Sequence, residues 1–219
     1  MGAKDIEMKM STMMRLSVAL SVVSLLTACA LGESAPAPKQ LDLGAGAMNG
    51  AAAGSSAASA AALPPLPPIA VPPANAASLL TETMVVWRVG DLGQPQAYAT
   101  YRWVAPPARL VTQRIVDRLS LQGAVLQQSM GAEVPQLRLN LQRFEQTFSA
   151  DGQSSQAHLT LQAVLMRGSE VVGQRLLNIR VPAATQDAPG GALALRAATD
   201  QAAEQVAQWL TSLHATTKR

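Results

Sequence analysis

The chain has 219 residues, 17 of them basic and 14 acidic, so its formal net charge is +3 at pH 7, and its basic residues are scattered. This balance gives no support for a nucleic-acid-binding protein, which would carry a basic stripe or patch. A single cysteine, Cys29, excludes a domain held together by internal disulfides. The length suits one domain and a tether.

The first 28 residues have the layout of a secretory signal peptide. Three basic residues, Lys4, Lys9 and Arg15, precede an uncharged apolar run at residues 16–26. Because a helix that crosses a bilayer needs about 20 apolar residues, this run is too short for a permanent transmembrane anchor. We therefore expect the segment to be removed.

The apolar run ends in Leu26-Thr27-Ala28-Cys29, which resembles a bacterial lipobox. In that motif the cysteine thiol receives a diacylglyceryl group and the signal is cut just before it, here between Ala28 and Cys29. Two or three acyl chains hold a protein stably on a membrane. Cys29 is therefore the predicted lipid attachment site, and Ala30, in place of an aspartate, favours the outer membrane.

Small residues and prolines dominate the next part of the chain. Residues 29–38 are a predicted tether, and KQLDLG at 39–44 is a predicted short strand. The Ala/Gly/Ser-rich stretch at 45–62 lacks enough apolar surface to offset the entropy of ordering it, and LPPLPPIAVPP follows at 63–73. The sequence thus predicts a flexible insert at 45–73, with its proline half stiffer, either as a lead-in to the fold or as a ligand for an aromatic groove.

From residue 79 the pattern becomes regular. A hairpin is predicted from strands at 83–89 and 97–104, followed by an amphipathic helix of roughly 15 residues that begins at Pro106-Pro107 and ends near Gly123. A short strand at 124–127 and strands at 136–148, 156–167 and 171–181 form an antiparallel meander. A long helix at about 191–213 completes an α+β fold, a mainly antiparallel sheet with two helices on one face.

No catalytic or metal-binding constellation is present in the sequence, which predicts that the chain is not an enzyme and needs no cofactor beyond the lipid on Cys29. The two histidines, His158 and His214, are interpreted as solvated surface residues. Gly190-Gly191 is interpreted as a loop entering the last helix, in preference to a phosphate site. The three tryptophans, Trp87, Trp103 and Trp209, are interpreted as core, with an apolar ligand groove as the alternative.

Three segments carry a resemblance to the ABC-type transport auxiliary lipoprotein family. They are Y-x-x-x-R-W-x-x-P-P-x-x-L at residues 98–110, F-x-Q-x-F at 144–148, and the D-A…G-G…A-L…A run at 187–198. The strand in KQLDLG is similar to the opening strand of the family, with Gln40 where a tyrosine is common. The resemblance covers residues 39–213, and the domain is predicted to span 39–214.

The resemblance implies a non-catalytic role in Mce-type systems, which move lipids between the two membranes of Gram-negative bacteria. The implied partners are a periplasmic Mce-domain protein with its ABC permease and ATPase, together with the outer membrane, on whose periplasmic face the acyl anchor would hold the chain. A ring-like homo-oligomer is also implied, and no nucleic acid.

The alternative that the residues leave open is a stand-alone envelope lipoprotein that binds a lipid or another apolar ligand by itself. The short tether favours a domain close to its membrane, which suits a receiving component better than a free carrier.

Overall fold

The structure, a computed structural model, describes residues 37–44, 64–126 and 134–217. The predicted signal peptide with its cleavage site, the lipid attachment site Cys29 and the Ala/Gly/Ser-rich stretch lie outside these residues. The domain is built from nine strands and two α-helices in the described part of the chain. The elements are β1 (Lys39–Leu41), β2 (Ile69–Ala70), β3 (Asn75–Ala76), β4 (Met84–Val89), β5 (Gln96–Trp103), α1 (Pro107–Ser120), β6 (Val125–Leu126), β7 (Gln136–Phe148), β8 (Ser155–Arg167), β9 (Glu170–Pro182) and α2 (Ala188–Thr217), with a 3-10 turn at Ser78–Leu80.

The predicted antiparallel pairings are confirmed. Strands β7, β8 and β9 form a meander, and β4 and β5 form a hairpin. Alternation along β7 and β8 produces the buried face, since every second side chain points toward the helices. The members of that face that are almost fully buried are Leu137, Leu139, Leu141, Leu159, Leu161 and Ala163.

Parallel pairings complete the sheet. The edge of β7 that faces away from β8 pairs in parallel with β2, β3 and β4 in succession. Strand β1 also runs parallel to β5, and β2 runs parallel to β6. The sheet is therefore mixed, although its long ladders are antiparallel, and the predicted α+β class with two helices is confirmed.

A β-bulge interrupts the alternation in β7. Leu141 pairs with Leu161 and Arg143 pairs with Thr160, so Gln142 has no partner in the register. One extra residue in a strand shifts all later side chains to the opposite face. As a result Phe144 and Gln146 lie on the buried face with Leu141, and Arg143, Glu145 and Thr147 lie on the other.

The helices cover the buried face. Helix α1 starts at Pro107, as predicted, and α2 starts at Ala188, three residues before the predicted Gly191. The apolar stripe of α2 packs on β8 and β9 as its spacing predicts. Its fully buried members are Leu195, Ala198, Ala202 and Val206.

Arg114 joins three segments that are distant in sequence. Its side chain is only 5% exposed, and its Nε donates to Asp200 Oδ1 of α2 at 2.8 Å. Its Nη1 donates to the carbonyl oxygens of Leu43 and Gly44, which follow β1, at 2.8 and 3.0 Å. Donors on one planar guanidinium thus hold both helices and the chain that enters the fold from the tether.

The predicted flexible insert at 45–73 is corrected at its proline-rich end. Ile69 and Ala70 form β2, and Ile69, Ala70 and Val71 are all buried. The amide of Ile69 donates to the carbonyl of Ala124, and that of Ala70 to the carbonyl of Pro135. Three consecutive apolar residues among the prolines are enough to make this stretch a lead-in to the fold.

Candidate docking site at one end of the sheet

Aromatic side chains gather where β4, β5 and β7 reach one end of the sheet. The ring of Trp87 lies 6.1 Å from that of Tyr98 and 5.7 Å from that of Phe148, the latter in an edge-to-face arrangement. Register places Trp87 opposite Gln146 and Val89 opposite Phe148 in the parallel ladder, so all four side chains share one face. The three aromatic residues are only partly buried, which makes them available to a partner.

These rings line an open groove of about 640 Å³. Its walls are small or apolar residues of β5 and of the β7–β8 turn, among them Ala97, Ala99 and Ala150. One of its lining residues, Val89, is 45% exposed, and Leu92 of the β4–β5 loop is 100% exposed. Exposed apolar side chains in an open groove are a feature of interaction sites in proteins.

A buried amide holds the groove from beneath. The hydroxyl of Tyr98 donates to Gln146 Oε1 at 2.8 Å, and Gln146 Nε2 donates to Ser155 Oγ at 2.8 Å. Burial raises the pKa of Tyr98 to about 12, so its hydroxyl keeps its proton and remains a donor. Gly191 of α2 packs directly on Gln146, where a Cβ would lie only 2.2 Å from Oε1.

On the opposite face of the same sheet end lies a charged cluster. Glu145 is its centre, since the side chain is 4% exposed and lies between two arginines. Arg88 Nη2 donates to Glu145 Oε2 at 2.8 Å. Arg88 Nε lies 2.6 Å from Glu145 Oε1, and these two atoms form an ion pair without a hydrogen bond. Arg143 Nε lies 3.2 Å from the same Oε1. The buried carboxylate therefore positions two guanidinium groups.

His158 belongs to this cluster, and the prediction that it is solvated is wrong. It does point to the polar face, but it is 2% exposed because it lies between Glu145 and Arg180 in the ladders. Arg143 Nη1 lies 3.0 Å from Nδ1, and Asn178 Oδ1 lies 3.0 Å from Nε2. An arginine only donates, so Nδ1 accepts and Nε2 carries the proton that is donated to Asn178.

Burial and the neighbouring cations Arg180 and Arg143 lower the pKa of His158. The tautomer set by its two partners and this lowered pKa agree on a neutral imidazole at pH 7. His158 is thus a structural hydrogen-bonding residue of the cluster.

Asp91 of the β4–β5 loop covers the outer side of the cluster. Its carboxylate accepts hydrogen bonds from Arg180 Nη2 at 3.1 and 3.0 Å and from Arg143 Nη1 at 3.3 Å. The hydrogen bond from Arg180 holds the pKa of Asp91 below its usual range. The side chain is 50% exposed, which leaves this carboxylate accessible to solvent.

A second, polar cavity of about 490 Å³ adjoins the aromatic groove, and the two share Phe148 and Ser149. Arg180, Asp91 and Thr147 line the polar cavity. The buried hydroxyl of Thr147 has no hydrogen-bond partner among the described residues. Buried hydroxyls in native structures are usually paired with protein or water, so this hydroxyl is free to bond a water or an incoming polar group.

The residues singled out from the sequence are separated in the structure. Trp103 and Trp209 are buried, as the core interpretation predicts. Trp87 lines a groove, which was the alternative interpretation for the tryptophans. His214 is half-buried near the end of α2, far along the chain from His158. Sequence reasoning missed the charged cluster, because alternation shows which face is polar but not which polar residues meet across strands.

Gly190 and Gly191 lie inside the first turn of α2. Asp187 precedes the helix, and its Oδ1 accepts hydrogen bonds from the Gly190 amide at 2.8 Å and the Thr185 hydroxyl at 2.7 Å. The hydrogen bond from Thr185 contributes most to lowering the pKa of Asp187, and the hydrogen bond from the Gly190 amide lowers it further. Since the chain's own carboxylate caps this N-terminus, a phosphate there would meet a negative charge.

Two further observations bear on the class of protein. Within residues 37–44, 64–126 and 134–217, no group of three or more His, Cys, Asp or Glu side chains is arranged to hold a metal ion. Neither described helix is long and apolar enough to cross a membrane.

Comparison with known proteins identifies relatives of most of the chain. The sequence model of a family described as "ABC-type transport auxiliary lipoprotein component" matches residues 50–207. The fold is similar to the crystal structure of protein XCC0632 from Xanthomonas campestris, which belongs to family DUF330. The two structures superpose with a TM-score of 0.63 at 22% sequence identity, and the match covers 72% of this chain and 92% of that one. An uncharacterized protein of known structure has a TM-score of 0.55 at 14% identity, with 68% and 95% of the two chains covered. No curated protein matches the sequence.

Proposed function

The chain belongs to the ABC-type transport auxiliary lipoprotein family, and from this premise we propose that it is the outer-membrane-side lipoprotein of an Mce-type lipid transport system. Membership itself places the chain in the cell envelope as an auxiliary component of ABC-type transport. The proposal adds that Cys29 carries the acyl anchor after cleavage behind Ala28. It also adds that the domain docks the periplasmic Mce-domain component and catalyses no reaction.

The observation that carries the proposal is the partly exposed aromatic end of the sheet. Trp87, Tyr98 and Phe148 line an open groove together with Val89, which is 45% exposed. Tryptophan and tyrosine are among the residues that dominate binding energy at protein interfaces, and one of each lines this groove. A component that receives another protein needs such a surface and needs no reactive group.

The tether supports a location near the membrane. Nine residues separate Cys29 from Lys39, the first residue of β1. A flexible chain of that length spans only about 15–18 Å. The docking site would therefore be held close to the bilayer that receives the transported lipid.

Replacement of the anchor tests the localisation. With Cys29→Ser, we expect the chain to leave the outer-membrane fraction and transport to be lost, while the circular dichroism and unfolding midpoint of the domain stay the same. The matched control is Ser34→Ala, a change of similar size within the predicted tether. Full transport by a Cys29→Ser protein found free in the periplasm would contradict the proposal.

The second candidate is a stand-alone binder of a lipid or other apolar ligand, and the 640 Å³ aromatic groove is the observation that favours it. The two functions differ in what is bound to the monomer. Native mass spectrometry that shows phospholipid on the isolated monomer, with no association with an Mce-domain protein, would favour this second function.

A further inference from the structure

Two cavities with different linings meet at Phe148. The larger is walled by aromatic and small apolar side chains, and the other is lined by Arg180, Asp91 and the orphaned hydroxyl of Thr147. A ligand that spans both must present an apolar group beside a polar or charged one. The two cavities therefore specify the chemistry of what docks as well as its position.

The charge of the second cavity is held by a weak internal pair. Arg180 and Asp91 are 37% and 50% exposed, and an ion pair between such exposed side chains adds little stability. Arg143, the other arginine that contacts Asp91, is fixed from below by the buried Glu145. Arg143 is thus preorganised, while the carboxylate that pairs with Arg180 belongs to Asp91, which lies on a loop and can be exchanged.

Thr147 supplies an independent indication. It is 5% exposed, lies on the strand next to the cavity and leaves its hydroxyl without a partner in the described part of the chain. A hydroxyl can donate to a carboxylate or carbonyl oxygen that enters the cavity. Arg180 and Thr147 together therefore form a cationic and hydrogen-bonding pair that suits an incoming carboxylate, the group that Asp91 already presents to Arg180.

The shape of the groove favours a protein segment over a small molecule. Pockets for small ligands enclose most of the ligand, whereas this groove is open along its length. Aromatic residues such as those that line this groove are enriched at protein interfaces. The acidic residue in the lining of the groove, Asp151, is outside the polar cavity, so a bound carboxylate is directed toward Arg180.

We propose that this sheet end binds an extended segment of the periplasmic partner that presents an apolar side chain next to a carboxylate. The apolar side chain enters the groove of Trp87, Tyr98 and Phe148. The carboxylate displaces Asp91 from Arg180 and accepts a hydrogen bond from Thr147. This inference rests on the proposed docking function and adds the chemistry of the docked segment.

The test uses the full-length acylated protein in phosphatidylcholine nanodiscs and two fluorescein-labelled octapeptides, one of alternating leucine and aspartate and one of alternating leucine and asparagine. Fluorescence anisotropy should show that the aspartate peptide binds about three- to fivefold more tightly, the range of one exposed charge pair. Arg180→Gln should remove this preference, and Asp91→Asn should tighten binding of the aspartate peptide by a similar factor.

Two controls separate binding from folding. Arg175→Gln removes an exposed arginine of the same strand that lines neither cavity, and it should change nothing. Thr147→Val keeps the shape of the side chain and removes the orphaned hydroxyl. The proposal requires Thr147→Val to weaken the aspartate peptide two- to threefold or more, with no loss in unfolding midpoint, whereas a purely structural hydroxyl would leave binding unchanged.

Three results would overturn the inference. The first is that neither peptide binds, and the second is that Arg175→Gln and Arg180→Gln weaken binding of the aspartate peptide equally. The third is that phosphatidylglycerol vesicles displace the bound peptide but excess unlabelled aspartate peptide does not. The last outcome would assign the site to an anionic lipid headgroup. The docking function has its own readout. If an Mce-domain protein still binds and Arg180→Gln or Trp87→Ala leaves that binding intact, docking stands and this site is not where it occurs.

Discussion

At the scale of single residues, the charged cluster is organised around groups whose protonation is fixed by geometry. His158 accepts from Arg143 through Nδ1 and donates to Asn178 through Nε2, an arrangement that only the neutral imidazole can make. The groups that face its ring are Arg143 of β7, Arg180 and Asn178 of β9, and Asp91 of the β4–β5 loop. The two arginines oppose protonation, and Asp91 only partly compensates for them.

The neutral state of His158 predicts a pH dependence of stability. Its pKa in the folded protein is lowered from 6.5, so below that pH the unfolded chain takes up a proton before the folded one does. The free energy of unfolding should then fall as the pH drops from 7.5 toward 5. Below pH 6.5 the fall approaches about 1.4 kcal/mol for each pH unit, until the pKa of His158 in the folded protein is reached. Urea unfolding at several pH values measures this slope.

The control for this prediction is His158→Gln, which places a neutral amide at the same position. Its unfolding free energy should be lower than that of the wild type at pH 7.5 but should change less between pH 7.5 and 5. A wild-type slope equal to that of His158→Gln, or stability that rises on acidification, would show that His158 is not held neutral.

At the scale of elements, contact between α2 and β7 depends on a glycine. Alanine is normally favoured over glycine inside a helix by about 1 kcal/mol. At position 191 the added Cβ would lie 2.2 Å from Gln146 Oε1 and 2.5 Å from Gln146 Cδ. Gln146 would have to move, and its bonds with Tyr98 and Ser155 would break.

Gly191→Ala is therefore expected to destabilise the domain by about 1–3 kcal/mol, the usual cost of overpacking a core. It should also change the fluorescence environment of Trp87, since Tyr98 would lose its anchor. Leu193→Ala, at a 65% exposed position of the same helix, is the matched control and should be nearly neutral. A more stable Gly191→Ala variant would mean that helix propensity outweighs the contact.

Periodicity predicted most of the elements because their side chains alternate or recur strictly. Strand β7 begins and ends where the alternation of Leu137, Leu139 and Leu141 and the aromatic end at Phe148 place it. The bulge at Gln142 has a signal in the sequence, since the consecutive polar residues Gln142 and Arg143 interrupt the alternation between Leu141 and Phe144, but an interpretation of 136–148 as one regular strand overlooks it. The strand at Ile69 was hidden among prolines, whose composition suggests an extended spacer.

The docking site, like the fold, could be predicted from the sequence only in part. Composition predicts that Trp87 belongs either to the core or to a groove, and a pattern along one strand cannot decide between them. The decision depends on the parallel register of β4 with β7 and on the turn at residues 149–154, which are long-range features. Likewise, Asp91, Arg143 and Arg180 come from three separate segments and meet only through the ladders of β7, β8 and β9.

At the scale of the whole molecule, a series of contacts links the residues after β1 to the docking end of the sheet. β1 follows the tether directly, and Arg114 links the residues after β1 to α1 and α2. Helix α2 in turn packs on Gln146, which holds Tyr98 at the groove.

The most direct measurement of the proposed function is the amount of Mce-domain protein that co-purifies with the acylated chain from envelope membranes solubilised in mild detergent. We predict a stable complex with wild-type protein, retained with Arg175→Gln and strongly reduced with Trp87→Ala at equal expression and equal unfolding midpoint. No complex with any Mce-domain protein of the same cell, under conditions where the chain is folded and acylated, would contradict it.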